Sequence, residues 1–333
     1  MKLSRLSAQL IIFVLFTTAV VLLTAGCGQQ DGTAAADGKA AAPQLTAIHS
    51  TYVKSPLNIP SILEKRHATF EDAFQTDGIQ FTYSDLNAGP KQTEALAAGD
   101  IDICHALGGT SAILAAANGV NLKIVGIYSR APEAFTLLTT DDSIQTIQDL
   151  KGKTIAGPRG TILHQLLLAA LQKAGLNIDD VHFVSMDIPQ TAAALASRKI
   201  DAGLLAGPAA LKLQENGART LTTGKGLLDA TIVIAMRQDF LQNHPEAAKK
   251  FLSLHRQVVA DYLADPAASY PDAAAETGLT PEQVAKMAPW YDFDPDIRPA
   301  DLQDLEATQD FLIHTGMLDP AKKLDIPTLC TQL

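Results

Sequence analysis

Three short segments carry the residue types that suit an anion: Gly89-Pro90-Lys91, Gly108-Gly109-Thr110-Ser111 and Pro158-Arg159-Gly160-Thr161. Each opens a stretch of helical composition. The first turn of a helix leaves N–H groups free and carries about half a unit of positive charge, which makes it a ready anion site. Pro suits that turn because its missing N–H would have no partner there. Gly lets a backbone come close, hydroxyls add donors, and Arg159 adds a planar, permanently charged fork. The competing reading is ordinary capping, since Ser, Thr and Gly begin helices everywhere. Two such starts, each after a strand and in corresponding halves of the chain, favour a shared ligand. Their spacings fit neither a P-loop nor a dinucleotide fingerprint, which disfavours nucleotides.

Weaker candidates surround these segments. Glu133, Asp187 and Asp229 are placed to meet an ammonium group near a hinge or cleft, although solvated loop carboxylates are the commoner case. Asn58 has the same standing, and Pro189 opens a further helix. His105 follows a strand and His164 lies one turn into a helix, so either can border a cleft, with satisfied histidines as the plainer explanation. Eight His without a close ligand pair give no metal signature, and no cofactor motif is present. Asp100 and Asp102 alternate along a strand start and read as a solvated edge, not an acid/base pair. A net charge of −10 and a pI near 5.2 argue against a nucleic-acid partner, which would want a basic stripe.

The elements that position these residues alternate between strand and helix patterns. Strands are expected at 45–51, 79–85, 100–105 and 122–129, with helices at 59–67, 90–98 and 110–118 between them. The pattern then restarts: strands at 153–157, 181–186 and 200–205 interleave with helices at 160–174, 189–198 and 208–216. A late strand at 231–236 is followed by helices only, at 245–263, 281–286 and 299–315. Such alternation implies right-handed βαβ units and largely parallel sheets flanked by helices. One internal echo supports two related lobes. Leu96 to Asp102 (LAAGDID) lines up with Leu195 to Asp201 (LASRKID), 99 positions on (195 less 96), and the same shift sets Pro90 on Pro189 and Gly108 on Gly207. Hinge crossings are expected near 130–135 and 229–236. Ligands of open α/β sheets sit beyond the carboxyl ends of the strands, so two such ends facing one another enclose a cleft.

The beginning of the chain speaks to compartment. Lys2 and Arg5 precede an apolar run at 10–23, too short for a spanning helix and suited to a secretory signal. Thr24-Ala25-Gly26-Cys27 resembles a bacterial lipobox, which implies cleavage after residue 26 and acylation of Cys27. Residues 27–43 hold no large apolar side chain and read as a flexible tether. Beyond Cys27 only Cys104 and Cys330 remain, with no disulfide or zinc pattern; Cys104 lies in an apolar run and reads as a buried small hydrophobe.

The stretches SPLNIPSIL (from Ser55), AGPKQTEALAAGDIDI (from Ala88), GGTSAILAAANG (from Gly108), PRGTILHQLLLAAL (from Pro158) and DAGLLAGPAALK (from Asp201) resemble the nitrate, sulfonate and taurine binding proteins of ABC importers. The resemblance implies an α/β, two-lobed type II periplasmic-binding-protein fold: residues 44–132 plus 233–333 form lobe I, residues 133–232 form lobe II, and the ligand sits between. It implies that the loop Ser55 to Asn58 lines the cleft. It also implies that Gly109, Thr110 and Ser111 hydrogen-bond an anionic head, and that Arg159, Gly160 and Thr161 oppose them from lobe II. Ala206, Gly207 and Pro208 match a loop that carries an aromatic in taurine-type members; none is present here. The implied protein is an exported, lipid-anchored monomer that binds a small anionic or zwitterionic solute without cofactor or chemistry and hands it to a membrane permease. A sulfonate is the first choice of ligand. Nitrate, an aminopyrimidine, and a sensing role remain alternatives. The Cys-rich motif of the related pyrimidine synthases is absent.

Overall fold

The computed structural model describes residues 44–333; the signal segment 1–26, Cys27 and the tether 27–43 lie outside the described residues. The chain runs β1 (Ala47–Tyr52), α1 (Ile59–Arg66), α2 (Thr69–Gln75), β2 (Gln80–Asp85), α3 (Gly89–Ala98), β3 (Ile103–Gly108), α4 (Gly109–Ala117) and β4 (Leu122–Arg130). It continues through β5 (Phe135–Thr139), β6 (Thr154–Gly157), α5 (Ile162–Lys173), β7 (His182–Ser185), α6 (Ile188–Ala196), β8 (Ala202–Ala206), α7 (Gly207–Glu215) and β9 (Arg219–Thr223). It ends with β10 (Thr231–Arg237), α8 (Gln238–Asn243), α9 (Pro245–Ala264), α10 (Tyr270–Thr277), α11 (Pro281–Met287), α12 (Pro299–His314) and α13 (Ile326–Leu329).

Two five-stranded sheets result, ordered β2-β1-β3-β10-β4 and β7-β6-β8-β5-β9. The sequence suggests largely parallel sheets; both are mixed. β10 runs antiparallel to β3 and β4, and β5 antiparallel to β8 and β9. The reason is topological. β5 is the first strand after the chain leaves the first sheet, and β10 the first after it returns, so each enters from the cleft side and points away from it. The two crossings occupy residues 131–134 and 224–230, and they are tied together: Gly224 N–H donates to the Pro132 and Phe135 carbonyls at 2.9 and 3.1 Å. Arg219–Thr223 gives no strand signal in the sequence because it is a polar, half-buried edge.

The echo between the lobes has a physical basis. Asp102 Oδ2 accepts the His49 N–H of β1 at 2.9 Å, and Asp201 Oδ2 accepts the Thr154 N–H of β6 at 2.7 Å. Each Asp also donates its own N–H to the same residue's carbonyl. Asp102 is therefore no solvated edge: it is nearly buried and additionally holds Arg237 at 3.0 Å. Charge-assisted bonds of this kind contribute about 1.5–3 kcal/mol each, so the repeated Ile-Asp dipeptide registers the strands in both lobes.

The C-terminal helices belong to the first sheet. α9 packs on α1 and α2, where Phe70 stacks on Phe251 at 4.4 Å, and α12 packs on α4. Tyr291 and Phe293 stack at 5.4 Å, and Phe293 meets Tyr128 and Tyr262 edge-on. Arg130 closes the end of β4 onto this segment through the Asp294 and Asp296 carbonyls and a bidentate pair with nearly buried Asp301 at 2.6 and 2.5 Å. Cys104 and Cys330 are both free thiols, and burial pushes the Cys104 thiol above its ordinary range.

Candidate functional site

A cavity of about 710 Å³ lies between the two sheets and is walled by both lobes. Its lining is set by helix beginnings. From lobe I come Asn58 before α1, Ala88 and Gly89 at α3, and Gly108 and Ser111 at α4; from lobe II come Thr161 and Ile162 at α5, Asp187 to Pro189 at α6, and Ala206 and Pro208 at α7. Six helix starts therefore face one space. Five of them, at Asn58, Ala88, Gly108, Thr161 and Ala206, make no side-chain capping bond. Only α6 is closed, by the reciprocal Asp187 and Gln190 pair. Uncapped starts leave amide hydrogens and helix-dipole charge directed at the cavity.

Charged side chains add to that field. Lys91 on α3 and Lys212 on α7 line the cavity from opposite lobes, and among the described residues neither has a carboxylate within ion-pair distance. Lys54 also lines it and reaches Glu276 at 3.7 Å. The carboxylates on the wall are Asp85, which accepts from Asn87, and the capping Asp187. The remaining wall is mostly apolar, with Val53, Pro56, Leu86, Leu163, Ile188 and Ile232, and its single aromatic is Phe135.

The lobes touch on both flanks of the cavity. On one flank Ser111 Oγ donates to the Gly160 carbonyl at 2.8 Å, and Thr110 Oγ1 donates to Gln165 Oε1 at 2.5 Å. Gln165 in turn donates to Thr308 of lobe I at 3.2 Å. On the other flank Gly207, at φ +57°, lies so near Pro56 that a Cβ would stand 1.7 Å from its carbonyl oxygen. Gln283 spans back to Glu215 at 2.8 and 3.0 Å.

The sequence-derived candidates distribute over these features. Ser55, Asn58, Gly89, Ser111, Thr161, Asp187 and Pro189 line the cavity. Gly109, Thr110, Gly160 and Gly207 form the rims where the lobes meet; a Cβ on Gly109 would meet Leu305 and the Thr231 carbonyl. The Arg159 guanidinium stacks over Phe183 at 4.9 Å instead of facing the cavity. His164 is buried, stacks on Phe183 at 4.7 Å, and has Nδ1 3.3 Å from the Gly160 amide. Burial, and after it the Arg159 charge, lower its pKa to about 4, so this ring is neutral at pH 7. Glu133 pairs with Lys225 at 2.7 Å between the crossings. Asp229 lies in the second crossing, outside the cavity lining. Lys212 and Asp85 carry no motif, and Lys91 is marked only as the last residue of Gly89-Pro90-Lys91. Only the three-dimensional return of α3, α7 and β2 to one rim brings them together.

The family model described as NMT1/THI5 like matches residues 68–269. A Bacillus subtilis (strain 168) protein named "Putative aliphatic sulfonates-binding protein" is 28% identical over 92% of this chain and 91% of its own length. The taurine-binding periplasmic protein of Escherichia coli (strain K12) is 28% identical over 67% of this chain and 69% of its own. The solved alkanesulfonate-binding protein of Xanthomonas axonopodis pv. citri, bound to MOPS, superposes with a TM-score of 0.79 at 26% identity, covering 88% of this chain and all of that one. The aliphatic sulphonate binding protein of Escherichia coli gives 0.72 at 25% identity, over 87% and 94%. The chain belongs to the NMT1/THI5-like family and has the two-lobed type II periplasmic-binding fold of solute-binding proteins, which are not catalysts.

Proposed function

We propose that this member of the family is the extracytoplasmic binding component of an ABC importer, and that its solute is a small organic sulfonate with an apolar or zwitterionic body. One observation carries the ligand class: five uncapped helix starts, drawn from both lobes, face a single cavity. A permanently ionised, three-oxygen head accepts several such amides at once. Lys91 and Lys212 strengthen the field at the rim, and the apolar wall suits an alkyl body. Nitrate would fill little of about 710 Å³. A stacked aminopyrimidine would want more aromatic wall than Phe135 alone.

Binding is reversible and involves no bond-making. Ligand bridges the two sets of helix starts, the lobes meet at Ser111–Gly160 and Gly207–Pro56, and the permease recognises the closed shape. Acylation at Cys27 would keep the domain beside that permease as a monomer on a tether. Thermal melting with taurine, ethanesulfonate, longer alkanesulfonates, MOPS, nitrate and an aminopyrimidine tests the ligand class. The true ligand adds about 2.7 kcal/mol at a hundredfold excess over Kd, while the matched carboxylate adds much less. Stabilisation by the aminopyrimidine or nitrate alone refutes the sulfonate reading. Uptake of the ligand by cells, lost on deleting this chain, separates transport from sensing.

A further inference from the structure

A second set of titratable groups lies in the core of lobe I, away from the cavity wall. Glu64 of α1, His105 of β3 and His255 of α9 are each no more than 1% exposed. They offer ligand atoms that all fall within 4.8 Å of one another. His255 Nδ1 stands 2.6 Å from Glu64 Oε1 and 3.1 Å from His105 Nε2. Glu64 Oε2 is 3.4 Å from His105 Nδ1, and it receives no hydrogen bond. His255 Nε2 has no partner either, so the polar engagement of that ring is entirely with the cluster. Around them stand Phe70, Phe251 and Tyr128.

Charge balance makes this arrangement unusual. Among the described residues no Lys or Arg nitrogen comes within 4.0 Å of the Glu64 carboxylate. An isolated buried carboxylate is strongly unfavourable, and proteins resolve it by protonation, by pairing or by coordinating a cation.

We infer that Glu64, His105 and His255 form a buried site for one first-row divalent transition ion of the zinc type. Two imidazoles and a carboxylate are a recurrent ligand set for zinc. Ligand atoms about 2.0–2.1 Å from a tetrahedral ion lie about 3.3 Å apart; the 3.1 Å between His255 Nδ1 and His105 Nε2 already matches, and one ligand atom from each of the three residues falls within 4.8 Å of the others. The 2.6 Å pair must part by about 0.7 Å, and the Glu64 carboxylate does so by rotating. That carboxylate can take two positions through its two oxygens. With His105 Nε2 on the ion, Nδ1–H faces Ser61 Oγ at 3.4 Å, and Ser61 Oγ is bonded to Tyr128 Oη at 2.9 Å. This is the outer support that fixes a ligating imidazole. The ion ties α1, β3 and α9 together. Full burial means that it enters as the lobe folds.

The test uses the full chain in detergent, unfolded with chelator and refolded with or without zinc, then freed of loose metal. The expected result is about one zinc per chain and a melting temperature raised by several degrees over the metal-free protein. In His255→Gln and Glu64→Gln the retained zinc falls at least tenfold, while the surface substitution His182→Gln keeps it. Cobalt(II) in place of zinc gives the intense visible absorption of a four-coordinate ion. Wild-type protein that retains no zinc overturns the inference, as does undiminished zinc in His255→Gln. If the core variants do not refold, weak six-coordinate cobalt absorption in the wild type overturns it alone.

Discussion

Replacing Gly207 by Ala separates the cost of local strain from the cost of closure. The residue sits at φ +57°, where an L side chain costs about 1–2 kcal/mol wherever the lobes stand. For a chain of this size that lowers the melting temperature by about 2–4 °C per kcal/mol. Closure adds a different term. The new methyl carbon would lie 1.7 Å from the Pro56 carbonyl oxygen, against about 3.3 Å for a close carbon–oxygen contact, so the lobes must stop about 1.6 Å short. Both colliding groups are backbone, so no side-chain rotation relieves them. A gap of that size takes the lobe II amides out of hydrogen-bonding range of a ligand held on lobe I. Two such bonds to a charged head, at about 1.5 kcal/mol each, correspond to a loss of about a hundredfold in affinity. Calorimetric titration of wild type and Gly207→Ala with the sulfonate found by melting measures this, alongside the unliganded melting temperatures. A melting loss with affinity within threefold of wild type would refute closure onto Pro56 as the binding-competent state.

Other consequences are equally open to measurement. Ser111→Ala removes the interlobe bond to the Gly160 carbonyl and should weaken ligand about 3- to 10-fold, read by the same titration; an unchanged Kd would show that this flank does not contribute. Lys91→Ala and Lys212→Ala should each slow association and flatten its salt dependence more than they speed dissociation, as rim charges do, in stopped-flow traces at low and high salt. Asp102→Ala should cost about 2 kcal/mol by freeing the His49 amide and Arg237 together, seen in urea unfolding. His164 has its pKa lowered from 6.5 to about 4 in the folded state, so between those values the unfolded chain binds the extra proton and stability falls as pH falls. Wild type should lose up to about 1.4 kcal/mol more per pH unit in that window than His164→Asn, and parallel curves would show that the ring is not held neutral.

The alternation of apolar runs with Ala/Leu-rich stretches made the βαβ lobes legible, and the repeated Ile-Asp dipeptide signalled their kinship because each Asp performs the same backbone bond. Strand direction was less readable. Nothing in Phe135–Thr139 or Thr231–Arg237 states that the chain enters each sheet from the cleft side, which is a property of connectivity. At the site, Gly and Pro mark helix starts that surround the cavity, since both residues have backbone requirements that sequence displays. Side-chain direction was not displayed: Arg159 turns onto Phe183, and the Thr110 hydroxyl reaches Gln165 of the other lobe. The Glu64, His105 and His255 cluster had no spacing to betray it, because its members come from three distant segments.

The paired crossings have a mechanical consequence. Two backbone strips, stitched by the Gly224 amide and the Glu133–Lys225 contact, each continue without a break into an interior strand of the sheet they enter. Such a two-wire suspension is compliant to rotation about one line and stiff to sliding or twisting. Each approach of the halves then repeats the same path, and a solute meets the same pattern of donors on every encounter.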